Sequence, residues 1–329
     1  MVKPKLYFIK ASDTSLTDLK TERLDRIRHY LISNNLCEEA RDADEADALI
    51  LEECISYKDF KYVHAIQNDA FIVKHFEKLY TVNVDDAAVG FFKGIYNNIC
   101  KKSFVEAKHF VVPPLDMINE LVFANSRTEV TPQYLAAWRG NLKSNKIRTQ
   151  LLNTFKGQVG FNIECSESWF NHGKEEKQHY VDFILNTKFS LCPAGWGPSS
   201  FRIFESMALG RCPVVIADQF IPCAGPSWSE FALFVPENSI DDLPAILKSN
   251  EPKALEMGRK AKENWEANFK DEKLLAYCAV SLLKAIETAE VKPFGVELKT
   301  WNSHEFYYLN KWTLPQRIMN KLKRILKIN

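Results

Sequence analysis

The chain has 329 residues, more than one ordinary hydrophobic core organises, and suits two domains of about 130–150 residues each. Hydrophobic residues make up 46% and charged residues 26%, the composition of an ordinary soluble globular protein, and the net charge of +1 gives no ground for a nucleic-acid coat or an acidic tail. Met1 leads straight into Lys3-Pro4-Lys5, the apolar run at 6–9 is too short to cross a bilayer, and no window approaches twenty apolar residues, so neither a secretory signal nor a spanning helix is expected. The eight cysteines are scattered singly, without CxxC or CxxH pairs, and read as reduced thiols of a cytoplasmic protein.

In chain order, strand-like apolar runs at 6–9, 48–51, 62–66 and 109–112 alternate with helical stretches. One of these spans 18–33, where Leu19, Leu24, Ile27, Tyr30 and Leu31 recur near a 3.6-residue period. Pro113-Pro114 closes a strand, and the polar stretch 125–132 suits a linker. A second alternating set follows, with strand-like runs at 134–138, 159–163, 189–192, 213–217 and 232–235, then a long helical region at 252–288. Two such sets predict an α/β chain of two Rossmann-like doubly wound domains facing a cleft. The expected limits are 1–128 for the first domain, 129–290 for the second and 291–329 for a basic amphipathic tail.

The densest signal is the stretch 188–210, which reads as strand, glycine-rich loop and helix. Gly195 and Gly197 allow a ligand to approach the backbone closely. Ser199 or Ser200 is placed to cap the helix, and Gly210 to end it. The free N–H groups and positive dipole end at such a helix start favour a phosphate group. Arg202 and Glu205, three residues apart, share one helix face, so a guanidinium could meet a pyrophosphate while a carboxylate bonds two sugar hydroxyls. A capped helix carrying a surface ion pair accounts for the same residues. The loop is neither a dinucleotide fingerprint, lacking the third glycine, nor a P-loop, lacking Gly-Lys-Ser/Thr.

The run FSLCPAGWGPSSFRIFESMALGRCPVVIADQFIPC resembles the exostosin-like glycosyltransferases, with their Ser-x-Arg-x-x-Glu helix and Pro-Val-rich strand ending in Asp. Trp138-Arg139-Gly140 with Arg148 downstream, and Trp228-Ser229-Glu230-Phe231 with Val235-Pro236-Glu237, look like flanking elements of that family. The resemblance implies the two-domain GT-B fold and an inverting transfer of a sugar from a nucleotide donor, UDP-linked by expectation, to a glycan or glycolipid hydroxyl in surface polysaccharide synthesis. By position, Arg139, Arg148, Arg202 and the loop residues Gly195, Trp196, Gly197, Ser199 and Ser200 would neutralise the diphosphate, and Glu205 would hold the ribose. The membrane anchor of the Golgi members and the second catalytic domain of the heparan polymerases are not seen in this sequence, so sugar and acceptor do not carry over.

Inversion needs a base that takes the acceptor proton, expected in the first domain beyond a strand's carboxyl end. Asp116, Asp13 and Glu53 all hold such positions, and Asp116 is preferred. Asp42-Ala43-Asp44 spells a metal-holding D-x-D but precedes its strand, and reads as a solvated acidic helix end. Asp85-Asp86 follows the run at 80–84 and reads more naturally as a turn. No metal is expected to take part, and no nucleic-acid partner. In the tail, Leu314, Ile318, Leu322 and Ile325 line one stripe of a helix over 313–327 among Lys and Arg residues. That helix is expected either to lie in the plane of an anionic membrane at its cytoplasmic face or to fold back on the first domain. A catalytically silent glycan- or nucleotide-binding subunit of a polysaccharide synthase remains the alternative; a nicotinamide oxidoreductase is disfavoured, since the first strand–helix turn has no glycine fingerprint.

Overall fold

The computed structural model describes residues 3–306, apart from 17–18, 55–59, 87, 117–118, 127, 129 and 167–172, together with residues 314, 318 and 322. Two all-parallel sheets organise them. The first contains β1 (Lys5–Phe8), β2 (Glu38–Glu39), β3 (Ala48–Glu53), β4 (Leu79–Asn83), β5 (Lys93–Tyr96) and β6 (His109–Val111), in the order β2-β1-β3-β4-β5-β6. The second contains β7 (Tyr134–Gly140), β8 (Phe161–Cys165), β9 (Thr187–Pro193), β10 (Cys212–Ile216) and β11 (Leu233–Phe234), in the order β11-β10-β9-β7-β8. Each order reverses once, between β1 and β3 and between β7 and β9, and a parallel sheet opens a crevice for ligands at such a reversal.

Both faces of each sheet are covered, which is why the strands read as nearly unbroken apolar runs. Side chains alternate between the two covers. Leu6, Phe8, Ala48 and Ile50 face one core while Tyr7, Ile9, Leu49 and Leu51 face the other. In the second sheet Cys192 and Val215 face one core, and Leu191, Val214 and Ile216 the opposite one. The two sheets facing a cleft make the GT-B arrangement expected from the sequence.

Several local expectations give way to tertiary packing. The run at 62–66 belongs to the helix Phe60–Asn68, not to a strand. There the apolar residues sit at helical spacing, with Tyr62 and Ile66 in one core. The helical region 252–288 breaks into Ala254–Asn268 and Glu272–Thr288, with Asp271 held at φ 53° between them.

The chain also crosses between the domains twice. Leu274, Cys278, Ala279, Leu282 and Ala285 of the helix Glu272–Thr288 join the core of the first sheet beside Leu6, Ile50 and Ile95. In the other direction, Val122 of the helix Glu120–Ala124 enters the second core, and Phe123 stacks on Trp265 with ring centroids 5.6 Å apart. Sequence limits of 128 and 290 therefore do not coincide with the packing units. Trp301 closes the far side of the first domain against Phe76, Phe91 and Phe92.

No described helix is long and apolar enough to cross a membrane. Of the tail over 313–327, only Leu314, Ile318 and Leu322 are described; they are helical and exposed. The rest of that predicted helix lies outside the described residues.

Candidate active site

A cleft of about 420 Å³ opens where the carboxyl ends of the two sheets face each other. Its second-domain wall forms at the β7/β9 reversal. Ser144 and Arg148 come from the segment after β7, and Gly195, Trp196, Gly197, Ser199, Ser200 and Phe201 from the loop after β9. Hydrogen bonds pin that loop from several directions. Gly195 N–H donates to the Gly197 carbonyl at 2.9 Å, Asn145 Nδ2 to the Gly195 carbonyl at 3.3 Å, and Arg148 Nε to the Ala194 carbonyl at 2.9 Å. Gly197 is dictated by contact, since a Cβ there would run into the Asp86 carbonyl and the Asn98 side chain across the cleft; one at Gly195 would meet only Arg148 Nη2, at 2.9 Å, the end of a side chain that can give way.

The helix Phe201–Ala208 begins directly behind the loop. Ser200 occupies its N-cap position but makes no side-chain cap bond, so the expected capping is absent. Orphan N–H groups at the helix start are what an anion would satisfy. Gly210, at φ +67°, turns the chain out of the helix.

Positive charge collects beneath the loop. The Arg148 guanidinium is 6.0 Å from the centre of the Trp138 ring, and that of Arg202 is 5.9 Å from the same ring. Neither has a carboxylate at ion-pair distance among the described residues. Arg148 bonds only the carbonyls of Ala194 and Asn141, and Arg202 bonds the Arg139 carbonyl and lies over the Tyr180 ring. Burial, reinforced by the charge of Arg202, pulls Arg148 down to about 10. A cation held out of water without a partner is costly, and an arriving anion relieves that cost.

The sequence-derived site residues divide. Arg148, Gly195, Trp196, Gly197, Ser199, Ser200 and Asp116 line the cleft. Arg202 and Glu205 do not; both are over nine-tenths buried behind it. There Tyr180 donates its hydroxyl proton to Glu205 Oε2 at 2.5 Å. Burial raises the Glu205 carboxyl, with the Tyr180 bond and the Arg202 charge acting the other way. They are not the surface ion pair that the bland reading offered, and removing either would unpair a buried neighbour. Arg139 does not line the cleft either. Its guanidinium is committed to Glu164 at 2.6 Å and Glu176 at 3.0 Å, because β7 sets it beside β8.

Across the cleft, Asp116 sits beyond β6 as expected, but both oxygens are taken. Arg23 Nε donates to Oδ2 at 2.5 Å and Arg26 Nη1 to Oδ1 at 3.1 Å. With both oxygens engaged by guanidiniums, neither is open to an acceptor hydroxyl. Glu53 is buried and accepts from Tyr62 at 2.9 Å and Asn83 at 3.1 Å, and Asp13 bonds the Tyr7 hydroxyl. Asp44 of the D-x-D pairs with Lys74 at the amino end of β3, away from the cleft. Among the described residues no cluster of three or more His, Cys, Asp or Glu could hold a metal.

Sequence reading missed three cleft residues. Asn98 accepts from Ser199 N–H at 2.9 Å and donates to the Ser199 carbonyl at 3.1 Å, tying the first domain to the loop of the second. Asn97 Oδ1 and Ser144 Oγ are buried polar atoms without partners that belong to cleft-lining residues, a state that a polar ligand corrects. The signal for Asn97-Asn98 was available: both follow β5, whose Lys93-Gly94-Ile95-Tyr96 was not recognised as a strand because a lysine and a glycine dilute its apolar pattern.

Fold and cleft together define a class, a two-domain parallel α/β protein with a glycine-walled interdomain site. Residues 96–250, a little under half of the chain, match the Exostosin GT47 domain. It is 29% identical over 161 residues to a probable glucuronoxylan glucuronosyltransferase of Arabidopsis thaliana, covering 44% of this chain and 32% of that protein. It is 35% identical over 82 residues to a probable beta-1,4-xylosyltransferase of the same plant, covering 24% and 20%. The chain thus spans about a third or less of the curated relatives it matches. Among solved structures it is similar to TarM, at 11% identity and TM-score 0.36 over 86% of this chain and 50% of that one. It is also similar to MurG of Acinetobacter baumannii, at 8% identity and TM-score 0.32 over 80% and 77%.

Proposed function

We propose that this chain is a glycosyltransferase that moves a sugar from a nucleotide-sugar donor, UDP-linked, to a hydroxyl of a glycan or glycolipid in polysaccharide synthesis, with inversion at the transferred carbon. The observation that carries the reading is Arg148, a guanidinium without a counter-ion that stands beneath a glycine loop opening onto an uncapped helix start. A nucleoside diphosphate supplies the missing anion. Its phosphates would meet Arg148 and the loop N–H groups, with Arg202 adding positive field from behind. As the glycosidic bond breaks, negative charge grows on the leaving diphosphate, and fixed cations and N–H groups stabilise that charge without reorganising. Protein cations then do what a metal does in other sugar transferases, so turnover should persist in EDTA. The similarity to a probable glucuronoxylan glucuronosyltransferase and a probable beta-1,4-xylosyltransferase supports a donor sugar of the glucuronosyl or xylosyl type.

One observation favours the silent-subunit alternative. Asp116, the preferred base of the sequence reading, is locked between Arg23 and Arg26. Incubation with UDP-glucuronic acid or UDP-xylose, with and without xylan oligosaccharides and with EDTA present, separates the two. Release of UDP that rises with acceptor is expected; nucleotide binding without release would leave only the binding subunit.

A further inference from the structure

The acceptor's proton needs a destination that Asp116 does not offer, and the cleft contains another carboxylate. Asp86 lies three residues beyond β4, on the first-domain wall of the cleft, facing the loop that would hold the donor. Its backbone carbonyl touches Gly197, which fixes the distance between this wall and the loop. Its carboxylate has no hydrogen-bond or ion-pair partner among the described residues, whereas those of Asp116, Glu53 and Asp13 are all engaged.

We propose that Asp86 is the general base of the transfer, taking the proton from the attacking acceptor hydroxyl. This rests on the glycosyltransferase reading above. In the step, the acceptor oxygen bonds the anomeric carbon, its proton passes to the Asp86 carboxylate, and the bond from that carbon to the diphosphate oxygen breaks, its electron pair leaving with the nucleoside diphosphate. No further reactant is needed.

The surroundings suit the role. Asp86 is exposed to the cleft, and partial loss of solvent there raises its carboxyl from the ordinary value while Arg148, facing it from the second domain, acts to lower it. Its neighbour Asp85 is pushed up to about 8 by burial and then by the charges of Glu53 and Asp86. A base gains strength as its proton affinity approaches the working pH. Asp85 is a positioning residue here, its half-buried carboxyl adding negative field beside Asp86 when ionised.

The test compares the whole protein with Asp86→Asn. A general base contributes about 10²–10⁴-fold, so kcat at saturating acceptor should fall by that factor while UDP affinity and melting temperature stay close to the parent's. Azide, an anionic nucleophile with no proton to lose, should form glycosyl azide from the donor equally well with either protein. An Asp86→Asn enzyme that transfers at the parental rate, or one that loses azide reaction and transfer together, would overturn the assignment while leaving the transferase reading intact. A parent protein that binds no nucleotide at all would remove that reading and this one with it.

Discussion

At the scale of single residues the site is governed by charges in short supply of partners. Among the described residues Arg148 has no counter-ion, Ser144 and Asn97 hold oxygens without partners, and Asp116 is oversupplied with two guanidiniums. The place of the loop 195–200 in the cleft was legible in the sequence because glycines between a strand and a helix start mark a close approach of the backbone, although the same residues also fit a plain capped helix. The base was not legible: Asp116, Asp13, Glu53 and Asp86 all follow strands, and only side-chain contacts distinguish a clamped carboxylate from a free one. Asp85 gives a pH signature. Its folded value near 8 lies above the unfolded carboxylate value, so between about pH 4 and 8 the folded state binds more protons than the unfolded one. Stability therefore falls as pH rises through that window and levels off above it. Urea melts from pH 4 to 9 should show this decline, and Asp85→Asn should reduce it; an unchanged slope would mean that Asp85 ionises normally.

At the scale of elements, the loop after β9 is held between two domains, and its geometry depends on contacts that no local propensity contains. Gly197 would be read from sequence as loop flexibility. In the structure it is a clearance requirement, because the Asp86 backbone and the Asn98 side chain occupy the space a methyl group would need. Gly197→Ala should consequently push the domains apart, weaken nucleotide binding by about tenfold or more, and leave each sheet folded, since the overlap lies between domains and not within one. Small-angle scattering and calorimetry would read the opening and the lost affinity; wild-type affinity with an unchanged radius of gyration would contradict the clearance argument. The same dependence on distant partners explains the reading errors elsewhere. The run at 62–66 is apolar enough for a strand but packs as a helix, and β5 is a central strand despite Lys93 and Gly94, because β4 and β6 supply its pairing. In the second sheet β10 was legible because Cys212–Ile216 is apolar throughout and buried on both faces.

For the molecule as a whole, the alternation of elements announced two parallel sheets, but not that the chain would cross between them. The helix Glu272–Thr288 lends its apolar stripe to the first core and Val122 enters the second, so each domain is completed by a segment from the far side of the cleft. Those crossings and the Asn98–Ser199 bonds bring the free cation of one domain opposite the free carboxylate of the other. The central claim is that this cleft binds a nucleoside diphosphate through Arg148. Titration calorimetry of UDP, GDP and CMP against the parent and Arg148→Ala tests it most directly. Saturable binding of UDP to the parent is expected, weakened by about 1.5–3 kcal/mol in the variant, the size of a lost charged hydrogen bond. Equal affinity in the two proteins, or no binding of any of the three to the parent, would contradict it.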